Sequence, residues 1–236
     1  TRQVAGYLHI EGNYQLLIDN LLDLTHLTFL HGSTIGNEHV ANTPLAKVTR
    51  NSRKELRSTA LELVSRDLPC ANAIRWMYNI DPPPLYARSG GFTKPDDRVD
   101  RWQIIRFEPP SHVWLDVGLA RAGTGAPDGD RSQGATHTVV NGITPESESS
   151  THYFWTFPRN HSLRDVDLNE YLQKGIISTF MEDKDMIEGQ QKIINTNAFA
   201  PKIEINADAA AIIARNIIDE LLQEQKLSSI AQEAAE

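Results

Sequence analysis

Apolar positions divide this chain into a helical beginning, a strand-rich middle and a helical end. Leu16, Leu17, Leu21, Leu24, Leu27 and Leu30 recur at helical intervals, which predicts an amphipathic helix from Asn13 to Leu30 with Gly32 as its stop. A short strand is expected before it, at Tyr7–Ile10. From Val48 to Trp155 the period shortens. LRSTALELV (56–64), WQIIRFEP (102–109), HVWLDVGLA (112–120), THTVVNGIT (136–144) and THYFWTF (151–157) read as antiparallel strands. Two Pro-, Gly- and Asp-rich stretches, NIDPPPLYARSGGFTKPDD (79–97) and ARAGTGAPDGDRSQGA (120–135), read as long loops between strands. Helical periodicity returns from Asp167 to about Asn195. It appears again after the N-cap candidate Asn206, where Ala210, Ile213, Ile217 and Leu221 form one stripe and the last ten residues look frayed. Strands bracketed by helices, rather than alternating with them, indicate an α+β fold: an antiparallel sheet gripped by helices on one face, with residues 1–236 as a single domain.

Three polar residues interrupt the leucine stripe. On an unbroken helix Asp23 and His26 lie about 60° apart and share a face, whereas His26 and His31 lie about 140° apart and cannot easily grip one ion. If both are ligands, the helix must bend or end between them, and Gly32 offers a place to unwind. A histidine in an apolar stripe is ordinarily a satisfied core residue, so spacing alone leaves both uses open. Two imidazoles and one carboxylate with open positions form the facial set of nonheme Fe(II) oxygenases. The best carboxylate donors are the four acids of STFMEDKDMIEGQQ, although acids in a helix usually form a solvated face.

Composition narrows the chemistry. With 236 residues, 40% of them hydrophobic, the chain is long enough to bury a sizeable core. A net charge of -8 argues against a phosphate backbone as partner, so no nucleic acid is expected. No apolar run approaches the roughly 20 residues a membrane span needs, and no membrane partner is expected. The single cysteine, Cys70, can build neither a disulfide nor a thiolate metal site, which suits a reducing, cytoplasmic setting.

DNLLDLTHLTFLHGS resembles the mononuclear iron motif of Rieske nonheme iron oxygenases, N-x-x-D-x-x-H-x-x-x-x-H, filled here by Asn20, Asp23, His26 and His31. GDRSQG, ITPESESSTHYFWTFPRN and FMEDKDMIEGQQ resemble the oxygenase components of the vanillate O-demethylase branch. The resemblance implies a helix-grip fold of the START/Bet v1-like kind with the iron-ligand helices packed on the sheet. It implies mononuclear Fe(II) held by His26, His31 and Asp183, with Glu182, Asp185 and Glu188 left to solvent. It gives Asp23 and Asn20 catalytic roles, Asp23 linking the iron to the Rieske cluster of a neighbouring subunit and Asn20 standing near the iron. It further implies a homotrimer, an aromatic acid substrate with O2, and electrons from NAD(P)H through a flavin- or ferredoxin-type reductase. The [2Fe–2S] Rieske cluster needs two cysteines and two histidines, so its N-terminal domain is expected to be absent from this chain, which begins at Thr1.

The function implied is that of an aromatic-ring or aromatic-methoxy monooxygenase. A non-catalytic helix-grip module binding a hydrophobic small molecule is the alternative, and a zinc hydrolase using two histidines and an acid is a third possibility. For the substrate, Asn141 and the strand HVWLDVGLA would face the iron if the sheet floors the pocket, although Asn141 would serve equally as a strand residue turned to water. Arg106, Arg121 and Arg131 could meet a carboxylate, against surface ion pairing as their ordinary use. His137, His152 and His161 lack metal-ligand spacing and read as structural.

Overall fold

Strict alternation drives the middle of the chain into strands. In β6 (Ala135–Pro145), residues 135, 137, 139, 141 and 143 are buried. β7 (Thr151–Arg159) repeats the pattern with Thr151, Tyr153, Trp155, Phe157 and Arg159, so one face of each strand turns to the core. In the computed structural model, which describes residues 2–58, 63–197 and 203–233, these strands join β1 (Arg2–Ile10), β2 (Lys47–Ser58), β3 (Leu63–Ile80), β4 (Val99–Glu108) and β5 (His112–Arg121). The seven strands form one antiparallel sheet in the order β1-β7-β6-β5-β4-β3-β2. This is the α+β antiparallel arrangement expected.

Three details differ from the sequence reading. β1 starts at Arg2, five residues earlier than expected, because its whole length pairs with β7 from Arg2↔Arg159 to Ile10↔Thr151. The strand expected at 56–64 straddles the ends of β2 and β3, and its residues 59–62 lie outside the described residues. The 79–97 loop contains a helix, α4 (Pro84–Gly90), opened by a proline that needs no N–H there and closed at Gly91, whose φ of 78° suits a residue without Cβ.

Helices cover one face of the sheet; α1 (Tyr14–Leu22), α2 (Leu27–Leu30) and α3 (Glu38–Asn42) precede β2 in the chain. α5 (Val166–Thr196) buries Leu168, Leu172, Ile176, Thr179, Phe180, Asp183, Ile187 and Gln191, a stripe at three- and four-residue spacing. α6 (Ala209–Glu233) follows a 3-10 turn at Asn206–Asp208 and buries Ala210 and Ile217, with Ile213 and Leu221 packed beside them. It runs well into the stretch expected to fray, of which residues 234–236 lie outside the described residues. The opposite face of the sheet carries a small cluster of Trp102, Ala120 and Ala126, with the Arg131 guanidinium 5.4 Å from the Trp102 ring. No helix among the described residues is long and apolar enough to cross a membrane.

Where α4 meets the sheet, His137 on the inward side of β6 lies beside His161. Ser89 Oγ sits 3.0 Å from His137 Nε2 and 3.3 Å from His161 Nε2. Burial, then the charges of His161 and Arg159, push His137 well below its ordinary value. Burial and Arg159 lower His161 to about 4. The unfolded chain therefore takes up protons from about pH 6.5 downward that the folded chain refuses, so these groups weaken the fold as pH falls. Urea midpoints are expected to drop between pH 7 and pH 4.5, and His161→Asn is expected to shallow that dependence. An identical pH slope in the variant would show that His161 does not carry it.

Candidate metal centre

The leucine stripe does not continue as one helix. α1 (Tyr14–Leu22) ends at Asp23, whose backbone turns extended with φ −79° and ψ 105°. Its Oδ1 accepts the Thr25 N–H at 2.6 Å and its Oδ2 the His26 N–H at 3.2 Å. A short acidic side chain that takes backbone donors in this way competes with the helical ladder and stops it. Arg75 Nη2 donates to Thr25 Oγ1 at 3.1 Å and holds the turn from the sheet side. A single turn, α2 (Leu27–Leu30), then begins after His26 and closes at His31, where φ −111° and ψ 27° leave the helical region. The break therefore precedes His26 rather than following His31 at Gly32, and Asp23 and His26 do not share a helix face. Asp23 caps the end of one helix and His26 opens the next.

His26 and His31 stand at the two ends of one helical turn, yet their side chains converge. Their rings stand edge to face with centroids 5.1 Å apart. His26 Nε2 lies 3.4 Å and His31 Nε2 3.0 Å from Asp183 Oδ1, and the three ligand atoms all fall within 4.8 Å of one another. Asp183 arrives from the buried stripe of α5. His31 and Asp183 are buried, and His26 is partly open.

Outer contacts orient each ligand. His26 Nδ1–H donates to the Asp23 carbonyl at 2.6 Å. His31 Nδ1–H donates to Glu182 Oε2 at 2.7 Å, so Glu182 does not belong with the solvated acids. Asp185 is exposed, and Glu188 pairs with Lys184 and accepts the Glu11 N–H. Asn20, on the last turn of α1, donates from Nδ2 to Asp183 Oδ1 at 3.0 Å. With both Nδ1 protons engaged outside, the Nε2 atoms face the point they share with the carboxylate, the donor arrangement that metal-binding histidines adopt. Two imidazole nitrogens and one carboxylate oxygen on a common side suit a divalent first-row metal.

The electrostatics fit a cation. Burial opposes charge on His26, but hydrogen bonds to Asp183 and Asp23 outweigh it and raise the imidazole to about 9. Burial likewise opposes ionisation of Asp183, yet the hydrogen bonds from His26 and His31 hold it far below the usual carboxylate range. Without a metal, the positive charge that this carboxylate demands is a proton on His26, which a metal ion replaces on binding.

The centre opens onto a small cavity of about 60 Å³. Leu24, Ile35, Ile105, Leu115, Val117, Val139, Phe157, Ile176 and Phe180 supply apolar walls. Leu115 and Val117 of HVWLDVGLA do floor it, as expected. Asn141 also lines it, fully buried, but its amide donates to the Val113 carbonyl and accepts from Tyr153 Oη, so it is not turned to water. The three arginines considered for a carboxylate are engaged elsewhere: Arg106 with Glu108, Arg121 with Asp97 and Arg131 with Asp116. The arginine that does face the cavity is Arg101, with Gln103 beside it. Neither was singled out in the sequence: the strand expected there began at Trp102, whereas β4 starts at Val99 and turns Arg101 and Gln103 inward.

A family model described as the vanillate O-demethylase oxygenase C-terminal domain matches residues 10–224. The chain belongs to that family. It is 38% identical over 220 residues to a vanillate O-demethylase oxygenase subunit from Pseudomonas sp., covering 92% of this chain and 57% of that protein. It is 35% identical over 226 residues to the toluene-4-sulfonate monooxygenase system iron-sulfur subunit of Comamonas testosteroni, covering 94% of this chain and 59% of that protein. The chain thus spans less than two thirds of these curated relatives. The crystal structure of dicamba monooxygenase bound to 3,6-dichlorosalicylic acid shares the fold, with a TM-score of 0.75 at 24% identity over 95% of this chain and 60% of that one. The α+β fold described above, a seven-stranded antiparallel sheet with helices, is the one shared with dicamba monooxygenase.

One glycine secures the centre in this family member. A Cβ on Gly36 would lie 1.8 Å from the Leu27 carbonyl oxygen and 3.1 Å from the His31 carbonyl carbon, so any side chain must push α2 aside. Gly36→Ala is expected to cost about 1–3 kcal/mol in urea denaturation and to weaken Co(II) binding by about tenfold or more through displaced histidines. Wild-type cobalt affinity in a destabilised Gly36→Ala chain would show that α2 tolerates the shift.

Proposed function

We propose that this chain is the mononuclear-iron catalytic domain of a Rieske-type oxygenase component, in which His26, His31 and Asp183 hold Fe(II) beside an aromatic substrate. The observation that carries the reading is the convergence of two outward-anchored imidazoles and one buried carboxylate at the head of an apolar cavity. Bound there, ferrous iron supplies the chemistry that activates O2 toward oxidation of a neighbouring C–H or aromatic carbon. The chain's own residues do the rest. Glu182 and the Asp23 carbonyl hold the imidazole orientations, Asn20 steadies the Asp183 oxygen, and the apolar walls keep water from the ring they enclose. Asn141 contributes to that wall as a held residue whose amide keeps Tyr153 in place.

The reading extends to the whole protein. Residues 1–236 serve as one domain beside an N-terminal Rieske [2Fe–2S] domain, as the share of the relatives' length matched here and the name of the iron-sulfur subunit suggest. Electrons come from NAD(P)H through a reductase, the substrate is an aromatic acid, the assembly is a homotrimer and the setting is cytoplasmic. Asp23, partly exposed at the turn between α1 and the short helix that His26 and His31 flank, is the group through which the cluster of a neighbouring subunit reaches the iron. A non-catalytic helix-grip module would have no use for three ligand atoms braced from outside.

Anaerobic titration with Fe(II) or Co(II) tests the centre. One ion per chain is expected, and His26→Ala or His31→Ala should weaken binding by at least about a hundredfold while far-UV circular dichroism stays unchanged. Metal binding that survives both substitutions would remove the assignment. In the full-length enzyme, Asp23→Asn is expected to retain the metal yet lose most turnover, because the amide keeps the shape and one acceptor oxygen but not the charge. Single-turnover and steady-state rates equal to wild type would show that Asp23 only shapes the turn.

A further inference from the structure

Arg101 is the unexplained charge of the cavity. It lies on the inward face of β4 with 1% of its surface exposed. Nη2 donates to the Ile35 carbonyl at 2.8 Å, and the guanidinium carbon stands 5.2 Å from the Tyr86 ring centroid. Nη1 is buried without a hydrogen-bond partner, and no Asp or Glu among the described residues pairs with Arg101. Gln103, two residues along on the same face and also 1% exposed, leaves its Oε1 unpartnered. Across the β3–β4 ladder from Gln103 stands Arg75, a second buried cation with Nε and Nη1 unpartnered.

Leaving a guanidinium nitrogen unpaired in an apolar cavity is costly, and an aliphatic residue of similar volume would serve packing better. An arginine retained there is satisfied by an anion that enters the cavity. Its planar fork matches a carboxylate in particular, because two parallel N–H donors can meet two oxygens.

We propose that Arg101 anchors the carboxylate of an aryl acid, so that the ring lies along the apolar walls and its far end points toward His26, His31 and Asp183. This assignment rests on the aromatic-substrate reading above and adds which residue selects for charge. Burial lowers Arg101 only to about 10, with Tyr86 raising and Arg75 lowering it, so the side chain stays cationic at neutral pH.

Calorimetric titration of the purified chain with 4-methoxybenzoate and with 4-methoxybenzamide tests it. The acid is expected to bind at least about tenfold more tightly than the amide. In Arg101→Met that preference should vanish while amide affinity is kept, and in Arg101→Lys, which keeps the charge but not the fork, a few-fold preference should remain. Equal affinities for acid and amide in the wild-type chain would overturn the proposal, whether or not the methionine variant folds. A full acid preference in Arg101→Met would overturn it as well. Cobalt titration of the same samples reads the metal centre separately, so a wild-type chain that binds cobalt and shows no acid preference refutes Arg101 alone.

Discussion

The Asp23 carboxylate takes the amide N–H groups of Thr25 and His26 out of the helix that the leucine stripe would otherwise continue. The rest of the site depends on that capture. It ends α1 there, so that His26 opens a separate single turn and His31 closes it, and both Nε2 atoms reach the same Asp183 oxygen. The same aspartate offers its carbonyl to His26 Nδ1, so one residue breaks the chain and orients a ligand. Gly36 and Arg75 hold the broken segment from two sides, by close backbone approach and by a hydrogen bond to Thr25.

The third ligand is delivered by a different device. α5 buries a regular stripe against the sheet, and Asp183 occupies a seat in that stripe that Leu168, Leu172, Ile176 and Ile187 fill elsewhere along it. A carboxylate in such a position is tolerable only if paired, and the two histidines pair it. Glu182, one residue away and therefore about 100° around the helix, reaches His31 from its other side. Two adjacent acids thus do separate work on one imidazole, the first as its neighbour in the centre and the second as its brace.

Polar groups on the inward face of the sheet differ in how far they are paired. Asn141 and Tyr153 satisfy each other and His137 meets Ser89 through Nε2 while its Nδ1 stays unpartnered; Arg101, Gln103 and Arg75 keep unpartnered atoms where the cavity wall and the Asp23 turn lie.

Much of this was legible in the sequence. The alternation of 136–144 and 151–157, the helix after Asp167 and the final stripe at Ala210, Ile213, Ile217 and Leu221 reflect local periods that burial enforces residue by residue. The N-x-x-D-x-x-H-x-x-x-x-H spacing brought Asn20, Asp23, His26 and His31 forward together. Asp183 also left a local trace, since among its neighbouring acids it keeps the apolar period of α5 and so falls on the buried side. Other features left no such trace. The length of β3 was hidden because Arg75 breaks its inward alternation, and the helical run from Asn13 to Leu30 gave no sign that Asp23 would spend its side chain on the backbone. Glu182 on His31 and Arg101 over the cavity depend on strands and helices far apart in the chain. Local sequence determined which residues turn inward, because burial acts on each element's own period; only the packing of those elements decided which inward groups meet, because that depends on register and the angle between helix and sheet.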